Sequence, residues 1–306
     1  MVVFFCDRLL RSAHLRCVTH FTVRFIDEHG TERTSVRRNG RREMHLSWYH
    51  KKYFSLPAKL NELSKIRVGA VSYLNTKPLL YGVKQSPSLM NEIDLVEDYP
   101  ARIAEMLLND EIDVGLVPIA IIPKLKEHYI ITDYCIGAED EVASVALFSE
   151  VPINNVEKVL LDYQSRTSVA LAKILLRDFW KVDPVIEQGN ENFREQISGN
   201  TAAVVIGDRA FEQKNASAYT YDLALAWKQM TNLPFVFAAW VANKNLPMEF
   251  QNSFNQANAY GLQKIADVVL ENPYNEYDLT TYYTKNMSYD LTDQKREGLN
   301  KFLSML

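Results

Sequence analysis

From Lys65 onward, short apolar runs alternate with stretches in which apolar residues recur every three or four positions, the pattern of strands alternating with amphipathic helices. Ile66-Arg67-Val68-Gly69-Ala70-Val71 predicts a buried strand, Leu79-Leu80-Tyr81 part of a helix, and Asp94-Leu95-Val96-Glu97 a second strand. Pro100 suits the first turn of a helix reaching Asn109, with Ile103, Ala104, Leu107 and Leu108 on one face, and Val114-Gly115-Leu116-Val117 predicts a third strand. This order predicts a parallel sheet with ligand sites at the carboxyl ends of its strands. A second unit repeats the alternation, with a strand at Val159-Leu160-Leu161, a helix over 167–180 that carries Leu171, Leu175 and Phe179 on one stripe, and a strand at Ala202-Ala203-Val204-Val205-Ile206.

Two extended apolar runs, 142–148 and 235–241, read as strands crossing between these units. The pattern therefore predicts an α/β protein of two lobes joined by two crossing segments, with the ligand in the cleft between them. Residues 65–138 and 248–306 are assigned to one lobe and 139–247 to the other. Beyond residue 247 the chain reads as helical. Phe250, Phe254, Ala257, Ile265 and Val269 share one helix that Asn272-Pro273 breaks, and Leu299, Phe302, Leu303 and Leu306 line the last one. Tyr282, Tyr283 and Tyr289 are expected to be packing residues.

Composition changes this picture mainly at the amino-terminal end. An apolar fraction of 47% over 306 residues excludes a disordered or fibrous chain. Residues 1–64 hold 12 Lys and Arg against 6 Asp and Glu, whereas the remainder holds 22 against 32. Five of the six histidines and two of the three cysteines also precede residue 65. Residues 1–64 therefore read as a basic, poorly ordered extension, as a start codon placed too far upstream would produce. The run Met1-Val2-Val3-Phe4-Phe5-Cys6 is too short for a secretory signal, and Arg37-Arg38-Asn39-Gly40-Arg41-Arg42 reads as a solvated stretch before a nucleic-acid or targeting patch.

The acidic remainder keeps one histidine, His128, and one cysteine, Cys135, too few for a zinc site, a Cys–His nucleophile or a disulfide framework. It contains no G-x-G-x-x-G after a strand, no phosphate loop, no H-E-x-x-H and no C-x-x-C. No metal or cofactor is expected, and the partner expected is a small molecule, with no nucleic acid or membrane.

What remains is polar residues at strand ends. Ser72-Tyr73-Leu74-Asn75-Thr76-Lys77-Pro78 leaves the first strand and enters a helix. Asn75 or Thr76 caps that helix, or the Asn75 amide points into the cleft to bind a hydroxyl or carboxylate. Asp162-Tyr163-Gln164-Ser165-Arg166-Thr167-Ser168 repeats the arrangement in the second lobe. Free N–H groups, hydroxyls and the helix dipole make that turn a carboxylate site; Arg166 adds a charge-assisted contact or faces solvent. Ser144 and Gly207-Asp208-Arg209 are further cleft candidates, with Asp208 either capping a helix or contacting ligand.

These segments resemble a known family. Val71-Ser72-Tyr73-Leu74-Asn75-Thr76-Lys77-Pro78-Leu79-Leu80-Tyr81-Gly82, Asp113-Val114-Gly115-Leu116-Val117-Pro118, Ser144-Val145-Ala146-Leu147-Phe148-Ser149, Ser165-Arg166-Thr167-Ser168 and Leu233-Pro234-Phe235-Val236-Phe237-Ala238 occur in the order found in the chorismate dehydratases of the futalosine route to menaquinone. The resemblance covers 65–306 and none of 1–64. It implies a type II periplasmic-binding-protein-like fold acting in the cytoplasm, and dehydration of chorismate to 3-[(1-carboxyvinyl)oxy]benzoate by a hydro-lyase without cofactor. For that reaction the site expected from these residues has Asn75 as catalytic residue, with Ser72, Ser144, Ser165, Arg166, Thr167, Ser168 and Asp208 binding substrate. The proton acceptor is either Asp208 or, preferably, the substrate's own enolpyruvyl carboxylate. Two alternatives share the fold. The 1,4-dihydroxy-6-naphthoate synthases of the same pathway carry a Ser-Pro-Cys-Pro-Asn-Asp-Thr-like stretch and a histidine base, neither matched here; a solute-binding protein for an organic anion would carry an export signal. Thr76-Lys77 departs from the small residue and Arg of many relatives but keeps the cation.

Overall fold

Residues 65–306 and two preceding strands are described in the computed structural model. The strands are β1 (Phe21–Ile26) and β2 (Glu32–Arg37), paired antiparallel from Phe21↔Arg37 to Ile26↔Glu32. Both runs carry β-branched or aromatic residues suited to a pleated strand. The Met1-to-Cys6 run and residues 38–42 lie outside the described residues.

The body carries two five-stranded sheets. The first uses β3 (Ile66–Val71), β4 (Ile93–Asp98), β5 (Val114–Pro118), β6 (Tyr129–Ala138) and, from much later in the chain, β12, in the order β4-β3-β5-β12-β6. The second uses β7 (Val145–Ser149), β8 (Lys158–Leu161), β9 (Val185–Gln188), β10 (Thr201–Ile206) and β11 (Tyr219–Asp222), in the order β11-β7-β10-β8-β9. β12 itself spans Phe235–Ala242. Each sheet has a parallel trio, β4-β3-β5 and β9-β8-β10, flanked by an antiparallel strand. The strand–helix connections of the first trio are those the sequence predicts; in the second, β8, α4 and β10 are predicted and the exposed edge strand β9 is not.

The run 235–241 does not cross between lobes. All eight residues of β12 are buried, and the strand pairs with β5 on one edge and β6 on the other. A strand bonded on both edges and covered on both faces is sheet interior, so this run belongs to the first sheet although it falls within 139–247. β7 is likewise held between β10 and β11. The chain changes sheets at 139–144 and at 232–234, two short segments that each contain a residue in the left-handed region: Ala143 at φ 64° and Asn232 at φ 61°. For alanine that conformation costs about 1–2 kcal/mol.

The helices are α1 (Lys77–Lys84), α2 (Pro87–Glu92), α3 (Pro100–Leu108), α4 (Thr167–Ile174), α5 (Arg209–Ala216), α6 (Leu223–Thr231), α7 (Met248–Leu262), α8 (Ile265–Glu271), α9 (Leu279–Thr281) and α10 (Asp293–Ser304). α4 continues as a π-helical stretch, Leu175–Trp180, which ends at left-handed Lys181. The helix expected to run unbroken to Asn272 is divided at 263–264. A Cβ on Gly82 would lie 1.7 Å from the Ala257 carbonyl oxygen, and one on Gly261 would lie 1.9 Å from that of Pro78, so α1 and α7 touch backbone to backbone there. Immediately after this crossing the chain tightens through Lys264 N–H to Gly261 O (3.0 Å) and turns.

Asp113 anchors the first sheet. Its buried carboxylate accepts from Arg67 N (3.0 Å) and Arg67 Nη2 (2.6 Å) and pairs with Lys244 Nζ (2.8 Å), joining the starts of β3 and β5 to the segment after β12. Although burial alone would raise this carboxyl, the cationic partners hold it at about 2. The native carboxyl thus releases its proton more readily than in the unfolded chain, where the value is near 3.8. Its stabilising contribution is complete above about pH 4 and is lost as pH falls through about 2. Asp113→Asn is expected to lower stability at pH 7 by about 1 kcal/mol, since Arg67 and Lys244 are half-exposed and solvent screens them. Urea unfolding of both proteins between pH 7 and pH 2 checks this: the difference should shrink toward the acid end.

Candidate active site

Two strand-to-helix turns face each other between the sheets. The first leaves β3, whose end is secured by Ser72 N–H to Asp98 O (3.1 Å), and passes through a 3₁₀ turn, Leu74–Thr76, into α1. Neither Asn75 nor Thr76 caps that helix through its side chain. Instead Asn75 Oδ1 accepts from Thr76 Oγ1 (3.1 Å), and Asn75 lines the cavity between the lobes. With Oδ1 engaged by that hydroxyl, Nδ2 is the group the amide can offer to a ligand as donor. The backbone is fixed from below, where the phenol of buried Tyr289 donates to Asn75 O (2.9 Å).

The second turn leaves β8. Asp162 is fully buried and accepts from Gln164 N (3.0 Å), Ile206 N (3.1 Å) and Arg209 Nη2 (2.8 and 3.0 Å to its two oxygens). The Arg209 guanidinium also lies 5.8 and 5.9 Å from the ring centres of Tyr163 and Phe193. Burial pushes the Asp162 carboxyl up, with Arg209 opposing that rise. Ser165 Oγ, just before α4, accepts from Ser168 N in its first turn (3.2 Å), while Thr167 Oγ1 accepts from Ala120 N of the facing lobe (3.2 Å).

Asn75 and Thr76 from one side meet Ser165, Thr167 and Ser168 from the other in a cavity whose walls include Val71, Pro118, Ile136, Val145, Ile206 and Phe237. Its free volume is ≈ 50 Å³, room for only a few water molecules. Among the described residues no carboxylate, lysine, arginine or histidine lines it. The polar groups the cavity offers are neutral ones beside the amino-terminal end of α4, in apolar surroundings that strengthen any contact they make.

Four of the expected residues sit elsewhere. Arg166 turns away from the cavity: its guanidinium donates to Tyr163 O and Ser165 O (3.1 Å each) and pairs with Glu105 of the facing lobe (3.2 Å). Ser72 is exposed at the end of β3. Asp208 occupies the N-cap position of α5 but makes no side-chain cap bond, and it is absent from the cavity wall, where its neighbour Gly207 appears; its Oδ1 accepts from Leu74 N across the cleft (3.1 Å). Burial pushes this carboxyl up too. Ser144 is fully buried between wall residues Val142 and Val145, its Oγ accepting from the Tyr282 phenol (2.7 Å). Asp208 and Ser144 therefore join the lobes, as does the Tyr73 phenol bonded to Gln164.

The tyrosines expected to be simple packing include Tyr289 and Tyr282, whose hydroxyls hold the site's backbone and Ser144. No periodicity signals this, because a phenol at the end of an apolar ring packs and bonds at once. His128 is exposed on the segment before β6. Among the described residues no cluster of three or more metal-ligating side chains occurs, and no helix is long and apolar enough to cross a membrane.

Comparison with known proteins places this geometry. A family model described as "Menaquinone biosynthesis" matches residues 66–306. The chain is 26% identical over 262 residues to a chorismate dehydratase of Thermus thermophilus, covering 78% of this chain and 94% of that protein. It is 26% identical over 247 residues to a chorismate dehydratase of Campylobacter jejuni, covering 77% and 95%. Among solved structures, a protein of Archaeoglobus fulgidus superposes with a TM-score of 0.65 at 15% identity, covering 79% of this chain and 96% of that one. A Candida albicans protein described as having the generic periplasmic binding protein fold superposes with a TM-score of 0.52 at 14% identity, covering 79% and 90%. These likenesses establish the two-lobed fold.

Proposed function

The chain belongs to the menaquinone biosynthesis family, and from that membership we propose that it is a lyase that removes water from chorismate to give 3-[(1-carboxyvinyl)oxy]benzoate, in the cytoplasm and on the futalosine route. The observation that carries this reading is the meeting of the Asn75 amide with the hydroxyls of 165–168 in an apolar cavity where, among the described residues, no strong acid or base lines the wall. A reaction that aromatises a ring needs little more than orientation. The Ser165–Ser168 turn holds one substrate carboxylate. Asn75 Nδ2 donates to the departing C4 oxygen, in a bond that strengthens as charge develops there.

The C3–H bond breaks, its electron pair forms the C3=C4 double bond, and the C4–O bond breaks with its pair on oxygen; the hydroxide takes up the proton removed from C3 and leaves as water. The two ring oxygens are trans, so the hydrogen and hydroxyl lost are on one face. The substrate's enolpyruvyl carboxylate takes the C3 proton in this scheme. Asp208 is a poorer acceptor, since its carboxylate is directed to Leu74 N outside the cavity wall. Bringing the carboxylate to C3 contributes several kcal/mol by proximity alone. The small free volume implies that the lobes part to admit substrate and close over it. The exposed position of His128 speaks against the naphthoate synthase reading, which requires a histidine at the substrate.

Incubating the full chain with chorismate, without added metal or cofactor, and following products by chromatography tests this. The aromatic enol ether is expected. Unchanged chorismate together with tight binding of another organic anion would instead favour a solute-binding protein.

A further inference from the structure

The segment 139–144 carries the chain from the first sheet to the second and supplies cavity-wall residue Val142 on the way. It is held from two sides. Toward the first lobe, Glu139 pairs with buried Lys295 (3.3 Å), and Glu141 O accepts from Asn286 Nδ2 (3.2 Å). Toward the second, Asp222 Oδ2 accepts from both Val142 N (3.1 Å) and Ala143 N (2.8 Å). The other oxygen of the same carboxylate accepts from Ala224 N (2.9 Å) and Leu225 N (3.0 Å), capping α6. One buried carboxylate thus receives four backbone N–H groups, two from a helix end and two from the crossover.

Capping α6 needs only one acceptor, which Ser, Thr or Asn also supplies. The second oxygen of Asp222 goes to a pair of consecutive N–H groups converging on one point, and the second of that pair belongs to Ala143, whose left-handed backbone (φ 64°) turns the chain toward Ser144. Alanine adopts this conformation only at a cost of about 1–2 kcal/mol. The twist also brings Ser144 O to Gly207 N (2.9 Å) and Ser144 Oγ to Tyr282, and leaves Val142 and Val145 in the cavity wall beside Gly207.

We infer that Asp222 is a positioning residue of the active site: its second carboxylate oxygen holds 142–144 in the strained conformation that builds one wall of the cavity and makes this stretch move with the second lobe. The inference rests on the cavity being the substrate site. It also places the bend of the outbound crossover at Glu141, whose carbonyl accepts from Asn286 of the first lobe while its carboxylate pairs with Lys214 of the second (3.4 Å).

Asp222→Ser separates the two roles, because a serine hydroxyl still caps α6 but cannot also reach the crossover. In the full chain, amide exchange at Val142 and Ala143 is expected to speed up at least about tenfold, while Ala224 and Leu225 stay protected and the melting temperature shifts by only a few degrees. Turnover of chorismate should lose about tenfold in kcat/KM. Adding Ala143→Gly, which adopts the left-handed conformation freely, should recover most of that loss without restoring the exchange protection. Unchanged exchange at 142–143 would overturn the clamp. Faster exchange with unaltered kcat/KM would overturn its role in positioning the site. A loss that Ala143→Gly leaves untouched would reduce Asp222 to a helix cap. The exchange measurement needs no substrate, so a wild-type protein inactive on chorismate would remove the proposed reaction, and the positioning role with it, while the clamp is still read directly.

Discussion

Asn75→Ala is expected to lower kcat on chorismate by about 10²–10³-fold while the melting temperature stays within a few degrees of wild type. The loss is of the size seen when one preorganised donor to developing negative charge is removed. Three features of the site point to this outcome. The Asn75 amide reaches the cavity with its oxygen already engaged by Thr76 Oγ1, leaving the nitrogen as donor. Among the described residues no cation lines the cavity to replace that donor. The backbone at Asn75 is held through Tyr289 and through the 3₁₀ turn, neither of which depends on the Asn75 side chain, so truncation removes the donor without moving the loop. Asn75→Asp should be equally inactive, because a carboxylate cannot donate and repels a substrate that carries two carboxylates. Steady-state kinetics with circular dichroism melting decides it: near-normal kcat in Asn75→Ala would remove this residue from the mechanism.

Arg209→Ala is expected to cost about 3–5 kcal/mol of stability, the range for stranding one partner of a buried ion pair. Asp162 is fully buried and Arg209 is 22% exposed, so water cannot readily replace the guanidinium. Without it the carboxylate keeps only the N–H groups of Gln164 and Ile206. Burial already pushes this carboxyl up with Arg209 beside it, and the variant should favour the protonated form further. A native carboxyl whose pKa lies above that of the unfolded chain stabilises at low pH and loses that contribution as pH rises through its native value. The deficit of Arg209→Ala should therefore narrow under mildly acidic conditions. Adding Asp162→Asn should recover more than half of the loss at pH 7, since no buried charge is then left unpaired. Urea unfolding of the single and double variants reads this. The same variants bear on function, because Asp162 opens the turn that carries Ser165, Thr167 and Ser168.

Much of the site is legible because its two turns obey a local rule. A buried strand that ends in polar residues and runs straight into a helix places those residues at the carboxyl edge of a parallel sheet, and both 72–76 and 162–168 do so. Asn75, Ser165, Thr167 and Ser168 accordingly line the cavity. Arg166 departs from expectation because the sequence shows a cation beside a carboxylate site and cannot show Glu105 across the cleft. Asp208 departs for a related reason: its partner, the N–H of Leu74, lies 134 positions away. Asp222, Tyr282 and Tyr289 act on residues 79–80, 138 and 214 positions distant, so nothing in their own neighbourhoods marks them.

Local periodicity and residue type operate over a few positions, and they suffice for the three strands of the first parallel trio, two of the three in the second, the principal helices between them, the family resemblance and a body with one histidine and no cofactor loop. The exposed edge strand Val185–Gln188 shows no apolar run and is not predicted. Three further outcomes depend on pairing and burial between distant segments. These are the place of 235–242 as an interior strand of the first sheet, the joining of the lobes at 139–144 and 232–234, and the choice of polar side chains that face the cavity. A fully apolar run serves equally as a crossing segment or a central strand until its neighbours are known, and a polar side chain at a strand end binds ligand only if no closer partner claims it.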